Sequence, residues 1–161
     1  MKKAIFLDRD GVINFEHGHY TVKVEDFIIN AGIGDVIRLL KDNNFIVIVI
    51  SNQGGIAKKL YSNNDVFDMH IKLCEYLSEH NTKIDDFFYC PHHDNVSECL
   101  CRKPNTLLFE KAIAIYNIDT KNSYMIGDSE RDIVAAQKCG INGIKIEPNQ
   151  NIIEICKKII S

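Results

Sequence analysis

Five short apolar runs punctuate the chain, at Ala4–Leu7, Phe45–Ile50, Phe87–Tyr89, Tyr124–Ile126 and Gly143–Ile146. They are rich in β-branched and aromatic residues and do not alternate with polar ones, the pattern of strands buried on both faces. Helical periods fill the gaps. Gly34–Lys41 carries Val36, Ile37, Leu39 and Leu40 on one side, and Asn64–His80 does the same with Val66, Phe67, Ile71, Cys74 and Leu77. Leu107–Tyr116, Glu130–Cys139 and Asn151–Ile160 complete the set, each with apolar residues at helical spacing. Asn63-Asn64-Asp65 and Asp128-Ser129 offer N-caps, and Gly140 a helix stop. This alternation predicts an α/β fold: a Rossmann-like, doubly wound, mostly parallel sheet with helices on both faces. At 161 residues the chain fits one domain, residues 1–161, because domains run to roughly 100–200 residues.

The charge balance limits the partners. The net charge is −3 and the pI about 6.1, so no basic field exists for nucleic acid, and a bound phosphate must be held by a few placed groups. The first apolar run stops at Asp8-Arg9-Asp10, too early for a signal peptide. The run Phe45–Ile50 is strand-sized and cannot span a bilayer. The expected location is therefore the cytosol, where the six cysteines stay reduced and clustered thiols point to metal rather than disulfide. Cys74, Cys139 and Cys156 stand singly in helical patterns and are expected as small core residues. No exposed apolar stripe is evident, which predicts a monomer.

In open parallel sheets, ligands bind beyond the carboxyl ends of the strands. The first predicted strand ends in Asp8-Arg9-Asp10-Gly11, and in extended chain the side chains of Asp8 and Asp10 share one side while Arg9 points away. Asp-Gly is also an ordinary turn signal, so the pair alone is compatible with two solvated aspartates. The fourth strand ends in Gly127-Asp128, with Asp132 four residues on. Oxygen donors from Asp8, Asp10 and Asp128, with room for water, suit Mg²⁺. The second strand ends in Ser51-Asn52-Gln53-Gly54-Gly55, where hydroxyl, amides and backbone N–H groups can face a phosphate, and Lys103 precedes a helix start with a matching positive charge.

Cys90-Pro91-His92 and Cys99-Leu100-Cys101 bracket a polar loop, residues 90–101. Cys90, His92, Cys99 and Cys101 make a plausible tetrahedral Zn²⁺ site, with His93 as an alternative fourth ligand. Four protein ligands close such a site, so its role is structural. The loop runs straight into Arg102-Lys103, and a zinc clamp there would position both.

Taken in order, Asp-x-Asp, Ser51, Lys103 and Gly-Asp-x-x-x-Asp resemble the haloacid dehalogenase-like phosphatases over nearly the whole chain, from Ala4 to about Ile146. The resemblance implies Asp8 as nucleophile, Asp10 as general acid and base, and Ser51 and Lys103 as stabilisers of the phosphoryl group. It also implies Mg²⁺ held by Asp8, the main-chain carbonyl of Asp10 and Asp128. Only about thirty-five residues separate Gly11 from the second strand, too few for a separate lid domain.

The Cys-Pro-His…Cys-x-Cys-Arg-Lys-Pro arrangement resembles the subgroup that holds the D-glycero-D-manno-heptose 1,7-bisphosphate phosphatases and the histidinol-phosphate phosphatases. The stretch Ile13–Tyr20 is similar to a sugar-contacting segment of the heptose enzymes, which implies substrate contacts from Glu16, His17, Gly18 and His19, together with Asn52, Gln53, Gly54 and Arg102. Departures stand at Lys58-Lys59, at Asn105-Thr106-Leu107 and at Ser129, where the heptose enzymes carry Arg-Gly, Pro-Gly-Met and a lysine. The expected activity is removal of the 7-phosphate from a heptose bisphosphate, a small phosphorylated sugar, with histidinol phosphate as the alternative substrate. Rivals from other classes are a nucleic-acid 3′-phosphatase, disfavoured by the acidic pI, and an inactive binding module, disfavoured because every expected catalytic position holds a competent residue.

Overall fold

The computed structural model describes residues 1–161. Strands β1 (Ala4–Leu7), β2 (Ile46–Asn52), β3 (Asp86–Cys90), β4 (Tyr124–Gly127) and β5 (Asn142–Lys145) form one sheet in the order β3-β2-β1-β4-β5, every pairing parallel. Helices α1 (Ile33–Asp42), α2 (Asn63–Glu79), α3 (Leu107–Tyr116), α4 (Glu130–Lys138) and α5 (Ile153–Ile160) cover it. Because side chains alternate along a strand, Ile5, Leu7, Val47 and Val49 pack with α1, α2 and α5 on one face. Ala4, Phe6, Ile46, Ile48 and Ile50 pack with α3 and α4 on the other.

Two features of this topology place the site. The chain leaves β1 toward one edge and returns to β4 on its other side, so the crossover helices diverge at the carboxyl end of β1 and leave a crevice there. The register sets Leu7 level with both Val49 and Ile126, so Asp8, Ser51 and Asp128 emerge at one edge within a residue or two of one another. Between β1 and β2 the chain makes only a 3₁₀ turn at Val24–Asp26 and α1, with no lid domain.

The expected elements are present with ends shifted by a residue or two, but the buried face of α2 is not the expected one. Val66, Met69, His70, Leu73 and Leu77 face the sheet, whereas Phe67 (63%) and Ile71 (41%) are exposed, as is Cys74. Both stripes satisfy a helical period and share Val66 and Leu77; the buried one includes Met69, whose sulfur receives an Arg9 N–H at 3.5 Å. Cys74 is therefore not a core residue, Cys139 is only partly buried, and Cys156 alone of the three is fully buried. The exposed Phe67, Ile71 and Cys74 also form the apolar stripe whose expected absence supported a monomer, so that support falls away. The α2 N-cap is Ser62, one residue ahead of the expected cluster; its hydroxyl accepts the Asp65 N–H at 3.3 Å and Asp65 accepts the Ser62 N–H at 2.7 Å. Gly140 ends α4 at φ 75° as expected. No helix is long and apolar enough to cross a membrane.

His70 carries a measurable signature of this packing. Its ring stacks on Phe87 at 4.3 Å and its Nε2 has no hydrogen-bond partner. Burial, then the nearby Arg9 guanidinium, push its pKa down to about 4. Between about pH 6.5 and 4 the unfolded chain takes up a proton on His70 that the folded chain refuses, so stability falls as pH falls through that window. Urea unfolding of His70→Phe should lose roughly 2–3 kcal/mol less than wild type between pH 7 and pH 4.5; equal losses would show that His70 is protonated in the folded state.

Candidate active site

Lys103 sits at the centre of the strand-end cluster, 1% exposed. Its ammonium donates to the Ile50 carbonyl at 2.7 Å and lies 3.0 Å from Asp8 and 2.6 Å from Asp132. Asn52 holds its backbone at both ends, accepting the Lys103 N–H at 2.9 Å and donating to the Lys103 carbonyl at 3.1 Å. Burial works against the charged ammonium, but Asp8 and Asp132 outweigh it and raise its proton affinity.

The carboxylates around it are in excess. Ligand oxygens of Asp8, Asp128 and Asp132 all lie within 4.8 Å of one another, and only Lys103 pairs with any of them. Burial, then Asp132, push the Asp8 carboxyl up to about 7, against the pull of Lys103. Burial, Asp132 and Glu16 push Asp128 up to about 6. Burial, and after it the neighbouring carboxylates, disfavour the charged forms here, and a divalent cation between these oxygens would offset both without protonation. The donor set, all oxygen, fits a hard ion. Asp128 is tucked against Gly11, at φ 85°, where any Cβ would overlap its carboxylate. The hydrogen bond and the ion pair to Asp8, from the Arg9 N–H at 2.8 Å and Lys103 at 3.0 Å, both fall on Oδ1 and leave Oδ2 uncommitted.

Asp10 stands apart from that cluster. Arg9, 1% exposed, folds back to donate to it from Nε at 3.1 Å and from a terminal nitrogen at 3.0 Å, so the expectation that Arg9 simply points away is corrected. Asn14 and Gln53 add hydrogen bonds at 3.0 and 2.9 Å. Burial would raise its pKa, but these donors, Arg9 foremost, hold it below the usual carboxylate range. Beside Asp10 opens a cleft of about 290 Å³ lined by Arg9, Asp10, Glu16–loop residues Gly18 to Thr21, Asn52–Gly54, Tyr61, Arg102 and Arg131.

The cysteine–histidine loop is folded as expected. Ligand atoms of Cys90, His92, Cys99 and Cys101 lie within 4.8 Å of one another, with sulfur and nitrogen separations of 3.0–3.6 Å. Four atoms about 2.0–2.3 Å from one central ion lie roughly 3.3–3.8 Å apart, so these four are gathered closely enough to be held by a single ion. The Arg102 N–H points at the Cys99 sulfur at 3.4 Å, and the Arg102 guanidinium donates to the His92 carbonyl at 3.3 Å. The loop thus fixes Arg102 at both its main chain and its head group.

Comparison with known proteins fits this geometry. A family model described as HAD-hydrolase-like matches residues 100–149. A Haemophilus ducreyi protein named D-glycero-beta-D-manno-heptose-1,7-bisphosphate 7-phosphatase is 36% identical over 146 residues, covering 87% of this chain and 80% of its own. The chain belongs to the haloacid dehalogenase-like phosphatases. A Campylobacter jejuni member named for the alpha anomer of the same bisphosphate is 38% identical over 143 residues, covering 86% of this chain and 78% of its own. The crystal structure of the D,D-heptose 1,7-bisphosphate phosphatase from B. bronchiseptica, complexed with magnesium and phosphate, superposes with a TM-score of 0.83 at 30% identity, over 88% of this chain and 78% of that one.

Within this phosphatase, Asp8, Asp10, Ser51, Lys103 and Asp128 all reach the same end of the sheet. Glu16, Gly18, His19, Asn52, Gln53, Gly54 and Arg102 line the cleft, whereas His17 does not: its Nε2 faces the Asp26 carbonyl at 3.1 Å and its ring stacks on His19. Several contributors escaped the sequence reading, Arg9 and Thr21 of the cleft lining among them. Tyr20, Tyr61 and Arg131 line the cleft, and Asn149 braces it from the far end of the chain. Asn149 accepts the Glu16 N–H at 2.7 Å, donates to the Glu16 carbonyl at 3.2 Å, and sends its own N–H to Gly11 at 2.7 Å. Arg131 was legible as a charge in the first turn of α4; Asn149 carried no local signal.

Lys103→Met removes the only cation paired within the buried cluster. Measured by urea unfolding in chelator, the variant should lose roughly 3–5 kcal/mol at pH 8. It should recover part of that loss at pH 6, where Asp8, its carboxyl pushed up to about 7, can take up a proton. A loss that does not change with pH would mean the carboxylates are not coupled to Lys103.

Proposed function

We propose that this phosphatase removes the 7-phosphate of D-glycero-D-manno-heptose 1,7-bisphosphate through an aspartyl-phosphate on Asp8. The observation that carries the reading is the uncommitted Asp8 Oδ2, two residues before Asp10, with Asp10 lining a cleft that Arg102 and Arg131 also line. One phosphate is taken at Asp8 and Lys103, and the arginines suit the second. Glu16, Gly18 and His19 line the same cleft and would meet the sugar hydroxyls.

In the first step Asp8 Oδ2 attacks phosphorus, the ester P–O bond breaks, and the leaving oxygen takes a proton from Asp10. In the second, water attacks the acyl phosphate, gives a proton to Asp10, and releases inorganic phosphate with Asp8 restored. The resting Asp10 is ionised, the form the second step needs; an arriving phosphate dianion raises its proton affinity for the first. Ser51 and Lys103 steady the equatorial oxygens as charge redistributes. Asp8, Asp128 and the Asp10 main-chain carbonyl would hold Mg²⁺, with Asp132 behind them, and the ion would supply neutralisation of phosphoryl charge. Zn²⁺ held by Cys90, His92, Cys99 and Cys101 would fix the segment that carries Arg102 and Lys103. A metabolite substrate fits a cytosolic enzyme without nucleic-acid or membrane partners.

One observation favours a second reading, histidinol phosphate. The Glu16 carboxylate in the cleft can pair with an amine as readily as with hydroxyls.

Side-by-side kcat/KM on both anomers of heptose 1,7-bisphosphate and on histidinol phosphate decides between them. The bisphosphate should lead by roughly 10-fold or more, and Asp8→Asn should lower turnover at least ~10³-fold on either substrate. Preference for histidinol phosphate would overturn the sugar while leaving the mechanism standing. Metal analysis of the purified chain should find about one zinc per chain, and Cys99→Ser should lose it and raise KM more than it lowers kcat. Less than half an equivalent in wild type would remove the clamp.

A further inference from the structure

Gln53 is buried to 1% exposure, and all of its side-chain hydrogen bonds are spent inside the protein. Its Nε2 donates both to Asp10 Oδ2 at 2.9 Å and to Ser51 Oγ at 2.7 Å. Its Oε1 accepts the Tyr61 hydroxyl at 2.7 Å. Tyr61 is 8% exposed, and its ring lies so close to Gly55 that any Cβ there would overlap it. The ring also meets Tyr20 edge-on at 6.2 Å. The phenol thus cannot swing away without rebuilding the Gly54-Gly55 turn.

We infer that Tyr61 and Gln53 form a positioning relay: Tyr61 fixes the orientation of the Gln53 carboxamide, and Gln53 sets the two groups that flank the phosphoryl site, Asp10 and Ser51. The inference rests on the phosphatase mechanism above. A carboxamide has a donor end and an acceptor end, and a half-turn exchanges them. The exchanged form would set Oε1 against the Asp10 carboxylate and forfeit its bond to Ser51 in the donor sense. The Tyr61 hydroxyl, donating to Oε1, adds to the cost of that exchange.

The consequences differ at the two ends. Ser51 Oγ already accepts a proton from Gln53, so its own hydroxyl hydrogen is directed elsewhere, to an oxygen of the bound phosphate. Asp10 Oδ2 is held by Gln53 and the Arg9 Nε while Oδ1 is held by Arg9 and Asn14. Its plane is therefore fixed relative to the leaving oxygen. Neither Gln53 nor Tyr61 has to touch substrate for this, which sets Gln53 apart from the cleft residues with free side-chain atoms.

The test is Tyr61→Phe, which keeps the ring against Gly55 and removes only the hydroxyl. Two substrates are compared: the sugar phosphate, whose alkoxide leaving group needs a proton, and p-nitrophenyl phosphate, whose phenolate does not. The relay predicts kcat on the sugar phosphate lowered about 10-fold with KM within about twofold, at least three times the loss on p-nitrophenyl phosphate, and an unchanged melting temperature. In a Gln53→Leu background, Tyr61→Phe should add nothing further. Equal losses on both substrates, a loss confined to KM, or full additivity in the double variant would each overturn the relay. Should Gln53→Leu fail to fold, the two-substrate comparison on Tyr61→Phe decides alone. Wild-type protein inactive on both substrates would instead overturn the phosphatase mechanism itself, so the two failures are told apart.

Discussion

The buried ammonium of Lys103 is the interaction on which the rest of this molecule depends. It closes the carboxyl end of the sheet by joining the β1 end at Asp8, the β2 end at the Ile50 carbonyl and the first turn of α4 at Asp132. A lysine buried at 1% exposure is tolerable only with such partners. The carboxylates are tolerable together only with such a cation, and even so Asp8 and Asp128 keep raised proton affinities. The structure therefore holds a site that is electrostatically incomplete by itself, and a divalent cation would complete it.

Around that centre, the protein uses carboxamides rather than charges to fix its loops. Asn52 grips both ends of the Lys103 peptide unit, Asn149 does the same for Glu16, and Gln53 bridges Asp10 and Ser51. A neutral side chain with one donor and one acceptor end can brace backbone next to a charged site without altering its charge. The cysteine–histidine loop is a further brace of the same segment, reaching Arg102 through the Cys99 sulfur and the His92 carbonyl. A site without a lid domain has to be rigid from below, and these contacts supply that rigidity.

Much of this was legible in the sequence because parallel sheets write themselves as uninterrupted apolar runs, and because chemistry sits where those runs stop. Asp8, Ser51 and Asp128 were singled out that way, Lys103 from its place before a helix start, and Cys90, His92, Cys99 and Cys101 from spacing; the structure gathers the first set at one end of the sheet and the second into one cluster. The errors have physical origins. Helix α2 carries two apolar stripes of the same period, and only the sheet decides between Met69–Leu73 and Phe67–Ile71. The brace from Asn149 to Glu16 spans the chain almost end to end, and no local pattern marks it. Gln53 was expected at the substrate cleft and lines it; its hydrogen bonds to Asp10, Ser51 and Tyr61 show only in three dimensions.

The central claim is that Asp8 becomes phosphorylated in each turnover. Rapid quench of a single turnover into borohydride, followed by peptide mapping, tests it most directly, because hydride reduces an acyl phosphate but not a free carboxylate. The account predicts reduction at Asp8 alone, present during turnover with the sugar phosphate and absent without substrate. Reduction at another residue, or none while product accumulates, would contradict it.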